Sequence, residues 1–311
     1  MASPNRTIVI GTRGSDLAMR QTHEALAQLQ AAFPNVPFRL ATVAVGGDLH
    51  PETPIVRLGV GAFVKELEVA LLRHEIDLAV HSLKDMPTSQ PDGLVIAAVT
   101  RREDPRDVLV DRWDLPLDRL PTGARIGTGS PRRAAQLLHL RPDLNVAPVR
   151  GNVATRLAKA RGNDLDGVVV ALAGLRRLGL EKEAAQVFAP ETMLPAPGQG
   201  ALALEIRQDD KELAEIAGRI QDAATAASVL AERALLAHLG GGCRAPFGAY
   251  ASLSGDTLTI TAMLAEEDGK HIYHVTARGS ASNPEAVAQE AYRKLMETNA
   301  ARLVNPTGGA P

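Results

Sequence analysis

Short apolar segments alternate with amphipathic ones through the first hundred residues, and this order restricts the fold of the chain more than any other feature. Residues 7–10 form an apolar run that predicts a buried strand, and from Leu17 to Leu29 apolar residues recur at helical spacing. The other elements predicted here are a helix over 63–73 and strands over 38–45, 76–81 and 94–99. Strand, helix and strand in this order predict a parallel or mixed α/β sheet.

A second α/β set follows a break in the pattern. Residues 101–107 are a charged stretch that contains a proline, and residues 194–200 are rich in proline and glycine, which suits a hinge or a crossing between domains. The elements predicted between these breaks are strands over 108–110, 125–127, 145–149 and 167–171 and helices over 132–139 and 153–160. The sequence therefore predicts two α/β domains.

The C-terminal part of the chain has a different pattern. A strand over 201–207 and a long helix over 225–239 are followed by alternating segments at 257–264 and 272–277. Residues 285–298 then have the spacing of an amphipathic helix. These elements predict a small α+β domain.

Composition excludes several classes of protein. The chain has 311 residues, enough for about two or three domains. Its net charge of −2 and aromatic content of 3% argue against a general binder of nucleic acid or of membrane surfaces. The single cysteine cannot form an internal disulfide, and no metal-ligand spacing occurs. We therefore expect no metal site. The first residues also lack the apolar core of a secretory signal, so we expect a cytoplasmic protein.

Basic residues follow five of the predicted strands. In open α/β sheets, ligands collect beyond the carboxyl ends of strands and at helix N-termini. The residues at these positions are Arg13, Lys84, Arg132 and Arg133, Arg150, and Arg176 and Arg177, with Arg156 in the helix after Arg150. In a slightly acidic chain this arrangement predicts a cleft for a polyanion made of carboxylates or phosphates, and spacing alone does not decide between the two.

Two local motifs add chemistry to these strand ends. Ser130 followed by Pro131 predicts a helix start, with backbone N–H groups directed at an anion. Asp85, beside Lys84, is the candidate for electrostatic stabilisation of a positive charge or for proton transfer. The alternative is that Lys84 and Asp85 form only a solvated turn pair.

Cys243, the only cysteine, follows three glycines at the end of the long helix. The glycines allow a sharp turn that leaves little bulk beside the sulfur, and Arg244 favours the thiolate. The alternative is a small buried cysteine after a glycine helix cap.

Six segments together resemble the hydroxymethylbilane synthases, a family also called porphobilinogen deaminases. The segments are residues 63–68, 79–87, 102–107, 150–157, 194–201 and 241–250. They occur in the family's order and extend nearly end to end. The resemblance implies that the chain joins four porphobilinogen molecules head to tail with release of ammonia, and then hydrolyses the product to hydroxymethylbilane.

The same resemblance implies a covalent dipyrromethane cofactor, one per chain, and a role for each residue at the strand ends. Asp85 would be catalytic by binding pyrrole N–H groups and stabilising the cationic azafulvene, and Cys243 would hold the cofactor through a thioether. Each pyrrole carries an acetate and a propionate, which agrees with the basic strand ends. The residues implied in cofactor binding are Lys84, Thr128, Ser130, Arg132 and Arg133, and those implied in substrate binding are Arg13, Arg150, Arg156, Arg177, Gln21 and Gln199.

The resemblance also implies domains and partners. The two α/β domains would be periplasmic-binding-protein-like lobes with a hinge, the first formed by residues 1–101 and 199–220 and the second by 102–198, followed by a cofactor-bearing domain over 221–311. The implied protein is a monomer that passes its product to uroporphyrinogen-III synthase and binds neither nucleic acid nor membrane. Two alternatives stay open, a non-catalytic two-lobe anion receptor and a cysteine-nucleophile acyl transferase.

Overall fold

A computed structural model describes residues 6–44, 64–241 and 245–304. The chain divides into two compact units, which we call the first unit (residues 1–103 and 200–226) and the second unit (residues 104–199 and 227–311). The division into three domains with the limits given above stays a prediction. No helix in the described ranges is long and apolar enough to cross a membrane.

The regular elements of the described residues are numbered in chain order. The strands are β1 (Ile8–Arg13), β2 (Phe38–Val43), β3 (Leu78–Ser82), β4 (Leu94–Val99), β5 (Asp107–Asp111), β6 (Arg125–Gly127), β7 (Asn145–Ala147), β8 (Gly167–Ala171), β9 (Gln186–Val187), β10 (Leu202–Arg207), β11 (Phe247–Ser254), β12 (Thr257–Ala265) and β13 (Ile272–Ser280). The helices are α1 (Asp16–Ala32), α2 (Lys65–Leu72), α3 (Pro131–Leu140), α4 (Val153–Arg161), α5 (Leu172–Leu178), α6 (Lys211–Gly218), α7 (Ala223–His238), α8 (Pro284–Met296) and α9 (Ala301–Val304).

The first unit contains a five-stranded sheet in the order β2-β1-β3-β10-β4. Strand β1 is parallel to β2 and β3, whereas β10 is antiparallel to both of its neighbours. Apolar residues of α1 and α6 cover one face of this sheet, and α2 covers the other. Gly11 on β1 permits close packing on the α2 face, because a Cβ atom there would lie 2.3 Å from Cδ1 of Ile76.

The second unit contains a sheet with the same pattern, in the order β7-β6-β8-β5-β9. Strands β6, β7 and β8 are parallel, and β5 is antiparallel to β8 and β9. Helices α4 and α5 pack on one face, and Leu137 of α3 packs in the cluster on the other. In each sheet, three parallel strands are thus followed by an antiparallel strand and an edge strand.

The C-terminal residues of the second unit form an antiparallel sheet in the order β11-β12-β13, with α8 packed on it. Strand β11 was missed by the sequence analysis because it consists largely of small residues, although it pairs with β12 over eight positions. The short helix α6 was also missed; its N-terminus is capped by Asp210, which accepts a hydrogen bond from the amide of Leu213 at 3.0 Å. The predicted fold class is confirmed: two α/β lobes followed by a small α+β domain.

Candidate functional site

In the first unit, the candidate residues lie at the carboxyl edge of parallel strands. Arg13 is the last residue of β1, and a short 3₁₀ turn, Leu83–Asp85, directly follows β3. Because β1 and β3 are parallel neighbours, both ends meet at one edge of the sheet. Lys84 is exposed there and Asp85 is half-buried. We call Arg13, Lys84 and Asp85 the first edge.

Backbone and side-chain hydrogen bonds fix the turn that carries Asp85. The amide of Leu83 donates to the carbonyl of Ala201 at 3.1 Å, and the amide of Met86 donates to the carbonyl of Leu83 at 3.2 Å. The side chain of Gln21 on α1 donates to the hydroxyl of Ser82 at 2.8 Å, and this hydroxyl lies 3.1 Å from Oε1 of Gln21. Gln21, predicted to bind substrate, is therefore buried as a support of this turn.

In the second unit, the candidate residues lie at the corresponding edge. Thr128 follows β6, and Arg150 follows β7 three residues after its end. Asp107 belongs to the same edge because β5 runs antiparallel and its first residue pairs with Ala171, the last residue of β8. Arg177 lies in the last turn of α5, the helix that follows β8. We call this region the second edge.

The predicted start of α3 is confirmed. Pro131 is the first helical residue, and the hydroxyl of Ser130 accepts a hydrogen bond from the amide of Arg133 at 3.5 Å. The hydroxyl of Thr128, which is buried, accepts a hydrogen bond from the amide of Ser130 at 3.2 Å. Thr128 and Ser130 thus shape the loop from which α3 begins.

Arg132 and Arg133, predicted to present their guanidinium groups to carboxylates, are buried around Asp107. Nη1 of Arg132 lies 2.7 Å from Oδ2 of Asp107, and Nε and Nη2 of Arg133 lie 3.0 and 2.7 Å from Oδ1. Gln199 donates to the same Oδ1 at 2.8 Å and to the carbonyl of Pro105 at 2.6 Å. We call these four side chains the Asp107 cluster.

The electrostatics of the Asp107 cluster favour an ionised carboxylate. Asp107 is fully buried, and burial alone would raise the pKa of its carboxyl. The guanidinium groups of Arg132 and Arg133 outweigh this effect and hold the pKa of Asp107 well below its usual range. Nε of Arg132 is also buried, and it has no hydrogen-bond partner within the described ranges. The cluster therefore combines satisfied ion pairs with a buried N–H donor that has no partner among the described residues.

Asp107 was not among the residues predicted for the site. A signal was present, because Asp107 lies in the segment 102–107 of the family resemblance and directly precedes an apolar strand. Nothing local, however, indicates that two arginines more than twenty residues later in the chain pair with it. The structure brings these groups together through the pairing of β5 with β8.

The arginines after β7 differ from those of the Asp107 cluster. The guanidinium of Arg150 is half-exposed and forms no hydrogen bond or ion pair with any other residue that the structure describes. Nε of Arg156 donates to the carbonyl of Gly151 at 2.8 Å, and Gly151 has a φ of 108° that favours glycine. Asn152 caps α4 by accepting from the amide of Thr155 at 2.9 Å. The turn thus orients Arg156 and leaves Arg150 available.

The predicted cofactor cysteine, Cys243, lies outside the described residues, as does Arg244. Just before it, the amides of Gly240 and Gly241 donate to the carbonyls of Ala237 and Leu236 at 2.9 Å. Both glycines have positive φ, so these two residues end helix α7 as a C-cap. Within the described ranges, no group of three His, Cys, Asp or Glu side chains could hold a metal ion.

Comparisons with known proteins agree over most of the chain. Residues 8–215 match the family model of the porphobilinogen deaminase dipyromethane cofactor binding domain, and residues 226–297 match that of the porphobilinogen deaminase C-terminal domain. The porphobilinogen deaminase of Syntrophus aciditrophicus is 45% identical over 289 residues, which cover 93% of this chain and 94% of the relative. That of Desulforudis audaxviator is 45% identical over 300 residues, covering 96% and 97%.

A solved structure of the methionine binding protein MetQ is 13% identical, covers 73% of this chain and 90% of its own, and has a TM-score of 0.45. The family rests on the two family models and on the identity to these relatives, which extends over both units. All six segments that carry the resemblance lie within the matched ranges. This chain belongs to the porphobilinogen deaminase family.

Proposed function

We propose that this protein condenses four porphobilinogen molecules head to tail and hydrolyses the product to hydroxymethylbilane, with Asp85 as its catalytic residue. The observation that carries the proposal is the position of Asp85, on a hydrogen-bonded turn at the carboxyl edge of parallel strands, with Arg13 and Lys84 at the same edge. A two-lobe anion receptor would need the cations of this edge, but it would not need a carboxylate among them.

The residues of this chain fit a dipyrromethane cofactor, the group named in the family model that matches residues 8–215. Its pyrroles carry acetates and propionates, and the second edge offers the buried Nε of Arg132 and the guanidinium of Arg150, neither of which has a partner among the residues that the structure describes. When bound, the cofactor supplies a nucleophilic pyrrole carbon for the first condensation. We propose that Cys243 holds it and that Lys84, Thr128, Ser130, Arg132 and Arg133 bind it.

The structure refines how Arg132 and Arg133 contribute. Arg133 donates from Nε and Nη2 to Asp107 and from Nη1 to the carbonyl of Val169, and Arg132 donates from Nη1 to Asp107 and to the carbonyl of Leu194, so protein groups already fix both guanidiniums. Fixed guanidiniums lose little side-chain entropy when a carboxylate binds. We propose that Asp107 and Gln199 act as supports of these arginines and that Arg13, Arg150, Arg156 and Arg177 bind the carboxylates of substrate and growing chain.

Asp85 acts through the pyrrole N–H of the substrate, whose aminomethyl carbon is the reacting atom. The aminomethyl group reacts in its protonated form: ammonia leaves with the electron pair of the C–N bond, and the positive charge passes to the substrate, where it is delocalised over the pyrrole. A carboxylate that accepts a hydrogen bond from the pyrrole N–H stabilises this cation, and partial burial strengthens the interaction. The α-carbon of the acceptor pyrrole then forms the new C–C bond and loses its proton, so that each condensation releases one ammonia.

The resemblance leads us to propose three further properties. The protein works as a monomer, it is located in the cytoplasm, and its product is consumed by uroporphyrinogen-III synthase. The net charge of −2 supports the expectation that nucleic acid is not a partner. Size measurement at several protein concentrations tests the first property, and a dimer at working concentration would contradict it.

The proposed attachment is tested by intact mass under denaturing conditions. Wild-type protein is expected to carry an added mass equal to two linked porphobilinogen units, and the Cys243→Ala variant is expected to lack it. A bare wild-type protein is incubated with porphobilinogen and measured again. Failure to gain mass or to release ammonia would reject the proposed function, and reversible binding without either would favour the anion receptor.

Arg150→Ala is expected to slow ammonia release by about 10- to 100-fold, because a charge-assisted hydrogen bond to a substrate carboxylate is lost. Arg150 has no partner among the residues that the structure describes, so its removal leaves no buried group unpaired. The control is Arg125→Ala, an exposed arginine at the opposite end of β6. The denaturation midpoint should be unchanged in both variants. Equal rates for the two variants would mean that Arg150 does not bind substrate.

A further inference from the structure

A group of buried ionisable side chains lies under α2, on one face of the first-unit sheet. It consists of His81 on β3, Glu205 on β10 and Glu68 on α2, which are 4%, 0% and 8% exposed. In the antiparallel register, His81 pairs with Ala203 and Glu205 pairs with Ala79. His81 and Glu205 are therefore diagonal neighbours on the same face of the sheet. We call the three side chains the His81 cluster.

Hydrogen bonds satisfy the cluster only in part. Nε2 of His81 lies 2.9 Å from Oε2 of Glu205, and the two side chains form a hydrogen bond. Oε1 of Glu205 and Oε1 of Glu68 are buried and have no hydrogen-bond partner among the described residues. Leaving buried carboxylate oxygens unsatisfied is costly, and two carboxylates at one desolvated site cannot both be ionised without mutual repulsion.

The surroundings offer Glu68 little compensating charge. Burial, and then the charge of Glu205, raise the pKa of Glu68, whereas His81 and Lys65 act in the opposite direction. The other described charged groups near this face are Glu66, half-buried on α2, Arg13 at the end of β1, exposed Arg39 on β2, and Arg207 of β10, which pairs with Asp77. Strand β4 contributes no ionisable side chain.

The cluster and the catalytic turn share one strand end. His81 is the penultimate residue of β3, and the turn that carries Asp85 begins two residues later. Successive side chains of a strand point to opposite faces, so Glu205 holds His81 from the α2 face while Gln21 of α1 holds Ser82 from the other. Side-chain hydrogen bonds on both faces of the sheet thus fix the end of β3.

We propose that Glu68 is a neutral carboxylic acid in the working enzyme and that, with the His81–Glu205 pair, it positions the turn bearing Asp85. This inference rests on the proposed function only in assigning catalysis to Asp85. All three members are positioning residues, because they act through the end of β3. Ionisation of Glu68 places a second negative charge beside Glu205, which destabilises the packing of α2 on β3 and displaces the turn.

The proton on Glu68 has a direct spectroscopic test on the cofactor-loaded, full-length protein. At neutral pH, the infrared spectrum is expected to contain the carbonyl stretch of a buried carboxylic acid, shifted in heavy water. This band is expected to be absent in Glu68→Gln and in Glu68→Met, and present in the control Glu75→Gln, whose side chain is exposed three residues after the end of α2. Persistence of the band in a folded Glu68 variant, or its absence from the wild type, would overturn the proposal.

Positioning is tested by the pH dependence of kcat. As pH rises and Glu68 ionises, wild-type kcat is expected to fall with little change in KM. Glu68→Gln cannot ionise, so the alkaline limb of its kcat profile is expected about one pH unit or more above that of the wild type and of Glu75→Gln. A limb that does not move would mean that Glu68 has a structural role only. If Asp85 proves dispensable, the infrared result stands while the assigned role in catalysis fails.

Discussion

Replacing Asp85 by asparagine is expected to lower kcat by about 100- to 1000-fold, with the cofactor still attached. Asparagine keeps the size of the side chain but removes the negative charge that stabilises the substrate cation after ammonia has left. The turn itself should persist, because the bonds from Leu83 to Ala201 and from Met86 to Leu83 run through backbone atoms.

The measurement combines intact mass, which reports cofactor loading, with the rate of ammonia release under saturating porphobilinogen. The matched control is Asp92→Asn, an exposed aspartate between the turn and β4. This control should retain the wild-type rate and mass. A loaded Asp85→Asn protein with a near-normal rate would exclude Asp85 from the mechanism, whereas a variant that loads poorly would assign Asp85 to cofactor assembly instead.

Asp107→Asn is expected to reduce the free energy of unfolding by about 3–5 kcal/mol, because it leaves the buried guanidiniums of Arg132 and Arg133 without a countercharge. The amide can accept a hydrogen bond, but it cannot neutralise either cation. We also expect the cofactor to be lost, since both arginines begin the helix proposed to bind it. Denaturant unfolding of wild type, Asp107→Asn and the exposed control Asp164→Asn measures the effect. Equal stability of the three proteins would mean that the cluster contributes nothing net.

The same carboxylate predicts the acid sensitivity of the wild type. The folded protein holds the pKa of Asp107 below its unfolded value, so its contribution to stability is present above the ordinary aspartate pKa. That contribution is lost as pH falls through the lowered pKa, in a window below about pH 4. The Asp107→Asn variant has no such group to protonate, so its unfolding free energy should fall less steeply over that window than the wild type's.

Local patterns were sufficient for much of the fold and part of the site. Apolar runs and helical spacing predicted most strands and helices, because the apolar pattern of a strand or of an amphipathic helix depends only on residues close together in the sequence. The capped start of α3 at Ser130 and Pro131 was predicted for the same reason. Strand β11 was not predicted, because its small residues form no clear apolar pattern and the strand is defined by its pairing with β12.

The sequence by itself determined the family, the two α/β lobes and the strand ends that carry Arg13, Asp85 and Arg150. Only the tertiary structure decided that Arg132 and Arg133 are buried around Asp107 and that Glu68, Glu205 and His81 share one desolvated site. The physical reason lies in strands β5 and β10. Both strands run antiparallel to a neighbouring parallel strand. Strand β5 places Asp107 beside Arg132 and Arg133, and β10 places Glu205 beside His81, although these partners are far apart in the chain. Long-range strand pairing, rather than residue type or spacing, creates these buried charges.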